Sequence, residues 1–180
     1  MKQLFMKTRT QHIPTVMHVL SWMVFIGYMI EAGAMLTSYT ASIGNPEGAK
    51  NRYMGFSLYS VWQYDFWQYT FAVSFVLTQL GLKAYTAYLV ITVLRTIKMA
   101  NPFTVEVSNL LERISYFILA TWVIAMLSNT QINWLSKRLG GALEGKLISG
   151  EFILLAGVVF VISQIFKKGV EIQSENELTV

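Results

Sequence analysis

The sequence predicts an all-α integral membrane protein with four transmembrane helices, and three observations carry that expectation. Of 180 residues, 54% are apolar and only 13% are charged, against about 25% charged in an ordinary soluble domain. The apolar residues are gathered into four long blocks. The charged residues are pushed between those blocks, and most of the basic ones fall on alternate sides. The same composition excludes a disordered chain, a collagen and a coiled coil. Without cysteine there is no thiol nucleophile, no CxxC redox pair, no cysteine zinc site and no disulfide scaffold.

Crossing about 30 Å of hydrocarbon by helix takes roughly 17–25 apolar residues, because only a helix or a closed barrel satisfies every backbone amide there. Four segments meet or approach this, at about 14–36, 69–94, 110–135 and 147–166. The fourth is the shortest in its apolar core, Phe152 to Ile162, with Glu151 just ahead of it. Lys and Arg are retained on the cytoplasmic side of short loops. With the N-terminus inside, Lys2, Lys7, Arg9, Arg95, Lys98, Arg113, Lys167 and Lys168 are cytoplasmic, and Lys50, Arg52, Lys137, Arg138 and Lys146 are outside. The expected topology is therefore N-in/C-in. The net charge of +4 is an orientation signal and implies no direct nucleic-acid binding. The first block is expected to stay as a span. A cleaved signal peptide, with Ala32-Gly33-Ala34 as its processing site, is the alternative, but this block is longer than a signal core and carries His18 and Glu31.

The segment 38–68 should face outside. Gly44-Asn45-Pro46 and Gly48 punctuate its first part as turns. Its second part holds Tyr53, Phe56, Tyr59, Trp62, Tyr64, Phe66, Trp67 and Tyr69. Leu58, Val61, Trp62, Phe66 and Tyr69 recur at helical steps, as in a short helix lying in the outer interface. Trp and Tyr favour that depth, since an apolar ring there keeps one polar atom wet. The alternative is an aromatic ligand cup of Trp62, Tyr64 and Trp67 with Asp65 at its rim. Asn101-Pro102 should end the second helix near Ala100, with proline suited to the first turn of the next. That helix can start at Thr104, or at Asn109 with Glu112 as a capping box. After the fourth span, 167–180 reads as a polar cytoplasmic tail. Lys167 and Glu171 could pair at i,i+4, but Gly169 argues against a long helical continuation. Leu178 and Val180 beside a free carboxylate could form a docking strand for a cytoplasmic partner.

Ionisable residues inside spans carry the most weight, since even lenient insertion scales charge about 2.5–3.5 kcal/mol at a helix centre. Glu31 and Lys83 are the two candidates. With spans at 14–36 and 69–94, Glu31 falls near the outer side and Lys83 nearer the cytoplasm, so a direct pair needs shifted or kinked helices. Lys83 could also run its ammonium to the inner headgroups. His18 lies one turn inside the first span, but neither it nor His12 has a carboxylate or thiol at metal-ligand spacing. No HExxH, GxSxG, GxxxxGKS/T or GxGxxG motif occurs, and no span carries a repeated polar stripe. The expectation is a non-enzyme without metal or cofactor.

Asn101-Pro102-Phe103, the hairpin that follows it, and the ending from Ile165 through Lys167-Lys168-Gly169-Val170-Glu171 and Glu175 to Val180 resemble the bacterial membrane family called domain of unknown function 2975. Leu82-Lys83-Ala84-Tyr85 and Ile30-Glu31-Ala32-Gly33-Ala34 resemble the form seen in Bacteroidetes members. The likeness covers nearly the whole chain. It implies a small four-span inner-membrane protein of undefined activity, often encoded beside a small helix-turn-helix regulator. The expected function is thus signalling or regulation through such a cytoplasmic partner, docked at Asn101, Pro102, Phe103, Glu171, Glu175, Leu178 and Val180. The alternative is a small-solute or proton-coupled transporter, or an accessory subunit, using Glu31 and Lys83.

Overall fold

The computed structural model describes residues 3–45, 47, 50, 52–53, 56–97, 102–140 and 151–178. Four long helices dominate it: α1 (Gln3–Gly44), α3 (Phe66–Thr96), α4 (Val105–Arg138) and α5 (Glu151–Leu178). Each is long and apolar enough to cross a membrane, as Thr15–Gly44, Phe66–Thr96, Val105–Arg138 and Ile153–Glu175. Between α1 and α3 lie two-residue strands β1 (Arg52–Tyr53) and β2 (Phe56–Ser57), paired antiparallel, and one short helix α2 (Tyr59–Tyr64). The strand pair was not anticipated in the sequence. It is too small to change the all-α character.

The first helix continues two turns beyond the expected end at Leu36. Thr37, Thr40 and Ser42 do not break it, because each hydroxyl donates to a carbonyl one turn back, on Ala34, Thr37 and Tyr39 (2.9, 3.0 and 2.7 Å). Tyr39 is held by stacking on Phe66 and Tyr69 at 6.4 and 5.8 Å between ring centroids. The helix stops at Gly44, where the Asn45 amide makes its last helical bond, to the Ala41 carbonyl.

The expected outer helix is interrupted at Asp65. Its extended backbone separates α2 from α3, and its carboxylate accepts from the Trp67 amide at 2.7 Å, capping α3. Leu58, Val61 and Tyr69 are buried as the helical spacing implied, and Trp62 is half-buried, but Phe66 is exposed. At the other end α3 stops at Thr96, four residues earlier than expected, because Ile97 turns extended. Pro102 lies ahead of the next helix, not in its first turn. Of the two possible starts for α4, Thr104 is the one used: its hydroxyl accepts from the Val107 amide at 3.3 Å.

Gly169 does not stop α5, which runs on to Leu178, eleven residues beyond the first lysine of the expected tail. The physical reason is a close approach. A Cβ on Gly169 would lie 2.6 Å from the Phe103 ring, so the glycine lets α5 pass the turn before α4 without leaving the helix. Lys168, not Lys167, pairs with Glu171, at 2.8 Å and i,i+3 spacing. The start proposed for the fourth span at 147–150 lies outside the described residues.

The long helices pack in chain order, α1 on α3, α3 on α4 and α4 on α5. The inner pair is the better covered: in the apolar 18-residue stretch of each helix, 44% of residues are buried in α3 and 28% in α4, against 11% for both α1 and α5. Two hydrophobic cores form at different levels along the helices. One joins Met35, Val61, Tyr69, Val73, Leu80 and Leu135, and the other joins Leu89, Val107, Ile114, Ile118 and Ala156. Along α3 they leave a break between Leu80 and Leu89.

Candidate functional site

Lys83 sits at that break. By helix length it is ~26 Å from Phe66 and ~20 Å from Thr96, the middle of α3. With the two extra turns of α1, Glu31 lies ~20 Å from the helix end at Gly44. Glu31 and Lys83 lie close enough along the packed helices to interact electrostatically. The Lys83 ammonium lies over the Tyr28 ring, 5.9 Å from its centroid, and Tyr28 is one turn before Glu31 on α1. Glu31 interacts electrostatically with both Tyr28 and Lys83. It makes no contact with Lys83 within 4.0 Å, and its own side chain is exposed.

Lys83 lines an open cleft of about 200 Å³ to which every long helix contributes. Thr86, Ala87 and Val90 of α3 and Ile118 and Thr121 of α4 form its floor, while Val24 and Tyr28 of α1 and Leu155 of α5 form its walls. Both threonine hydroxyls are already engaged, donating to the Leu82 and Phe117 carbonyls at 2.8 Å. Among the lining residues Lys83 is the single cation, in otherwise apolar surroundings. The arrangement can hold an apolar chain and neutralise one negative charge. Among the described residues no group of three His, Cys, Asp or Glu could hold a metal ion. Tyr28 and Thr86 were missed in the sequence, though helical spacing could have found them, at i−3 from Glu31 and i+3 from Lys83; Thr121, a span residue that reads as ordinary helix glue, reaches the site only through the packing of α4.

The other candidates are dispersed. His18 is half-buried, and its Nε2 accepts from Trp22 Nε1 at 3.2 Å, an i,i+4 contact within α1. Trp67 is 71% exposed and Tyr64 is exposed too. Trp62 instead packs against the first core, its Nε1 buried and without a hydrogen-bond partner. At the opposite end Phe103 meets α5 just before the second expected docking segment, its ring tilted against Phe166 with centroids 5.1 Å apart and lying against Gly169. One turn further into α4, the buried Ser108 hydroxyl donates to the Ser163 carbonyl at 3.1 Å, pinning α4 to α5. Pro102 is half-buried, and Glu171, Ile172 and Glu175 are exposed on the helix beyond Phe166. Asn101, Val180 and the Leu178 side chain lie outside the described residues.

Four long apolar helices in a row, with a mid-span lysine cleft, define a multi-pass membrane protein in contact with the lipid bilayer. The chain belongs to the family described as "Protein of unknown function (DUF2975)", whose family model matches residues 7–180, nearly the whole chain. No curated protein and no solved structure matches it.

Proposed function

We propose that this protein is a non-enzymatic signalling or regulatory component of a bacterial inner membrane, N-in/C-in, that docks a cytoplasmic partner on the end of α5. The observation that carries this reading is the joint of Phe103, Phe166 and Gly169. It braces α5 against the turn before α4, so the last turns stand as a preformed helix rather than a loose tail. A preformed helix loses less conformational entropy on binding than a disordered one. Ile172, half exposed, between Glu171 and Glu175 offers an apolar contact with acidic flanks, suited to a groove rimmed by basic side chains. A small helix-turn-helix regulator, the neighbour that the family resemblance implies, is such a partner. The test is co-purification of the full chain with the regulator encoded beside it. Deleting 171–180, or replacing Ile172→Asp, is expected to abolish recovery of the regulator; unchanged recovery with both variants defeats the reading.

A second reading is favoured by the electrostatic interaction of Glu31 and Lys83. Two opposite ionisable groups within the spans, one exposed and one in a cleft, are the raw material of a proton-coupled carrier or its accessory subunit.

A further inference from the structure

We infer that the Lys83 cleft binds a long-chain carboxylic acid from the bilayer, its carboxylate paired with the Lys83 ammonium and its chain lying between α1 and α5. Among the described residues, Lys83 has no anion in contact with it. Holding a lysine as an ammonium at this depth is costly even on lenient scales. The Tyr28 ring, near the 6 Å limit of a cation–π contact, returns only part of that cost at a partly open site. Glu31, the one carboxylate that faces Lys83 from α1, is not in contact with it. The remaining deficit calls for an anion, and the cleft is open and lined by Val24, Val90, Ile118 and Leu155.

The depth of the site selects the kind of anion. A phospholipid keeps its ionised phosphate at the surface, about 15 Å from the middle of a 30 Å hydrocarbon layer. A carboxylic acid can enter the hydrocarbon as the neutral, protonated form. On reaching Lys83 as the neutral amine it gives its proton to the nitrogen, so the bound state is an ammonium–carboxylate pair, a charge-assisted hydrogen bond of the stronger kind. The two threonines on the floor, both engaged with their own helix, add no competing donor.

This site is independent of the docking role of α5, and it can be tested without any partner. The full chain in phosphatidylcholine nanodiscs is titrated with carboxyl-labelled palmitate, and the bound carboxylate resonance is followed against empty nanodiscs. Saturable binding is expected, weakened at least ~10-fold by Lys83→Met and largely kept by Lys83→Arg. Palmitate methyl ester should fail to displace the acid, and Leu155→Trp, which fills the cleft and leaves the lysine, should also abolish binding. Glu31→Gln should bind as tightly or more so, because it removes a like charge. Displacement by the ester or by phosphatidylglycerol, or equal binding by Lys83→Met, overturns the proposal. The ester comparison on the unaltered protein decides the matter even if a variant fails to fold.

Discussion

Individual residues here act through what stands opposite them. Asp65, a possible ligand at the rim of an aromatic cup, spends its carboxylate on capping α3. His18 is occupied by Trp22. Glu31 and Lys83 differ, since neither charge is in contact with an opposite one, although the two interact electrostatically. If they serve proton coupling, Glu31→Gln and Lys83→Met should each lower proton flux in reconstituted vesicles by about tenfold or more, the scale at which positioned acid–base groups contribute. Unchanged flux in both variants would remove the motive for the transport reading and leave the cleft as a binding site.

At the scale of elements, α5 is the informative helix. Glycine in a helix interior costs about 1 kcal/mol relative to alanine, so its survival at position 169 needs a reason, and the Phe103 ring supplies one. Gly169→Val should destabilise the protein by about 1–3 kcal/mol through overpacking, read as a lower unfolding midpoint in detergent. Adding Phe103→Ala should recover part of that loss, giving a coupling that independent sites lack. Additive losses would show that the ring and the glycine do not meet. The neighbouring Ser108–Ser163 bond belongs to the same α4–α5 contact, where hydrogen bonds between membrane helices contribute on the order of 0.6 kcal/mol.

For the whole molecule, the open row of helices matters more than their number. Because α1 and α5 each pack on one neighbour, their uncovered faces meet lipid, and the cleft is left between them. Antiparallel packing puts the turn before α4 and the end of α5 at one end and Asn45 at the other. New cysteines at Ala100 and Gln173 should therefore react with a membrane-impermeant reagent from one side and a cysteine at Asn45 from the opposite side. With the expected N-in/C-in orientation, only Asn45 labels in intact cells. Outside labelling at Ala100 would invert the topology and detach α5 from any cytoplasmic partner.

The sequence by itself determined that four helices cross the membrane, that Glu31 and Lys83 lie within them, and that Thr104 could open α4. These features are legible because hydrocarbon acts on each helix separately, through composition and length. Only the tertiary structure decided that α1 reaches Gly44, that Gly169 is passed rather than obeyed, and that Tyr28, Lys83 and Thr121 share one cleft. The hydroxyls after Leu36 looked like loop residues until their bonds back to the helix and the stacking of Tyr39 were seen. Packing between membrane helices rests on close van der Waals fit and a few hydrogen bonds between residues far apart in the chain. Such a fit leaves no periodic trace in either segment alone, so it appears only when the helices are laid side by side.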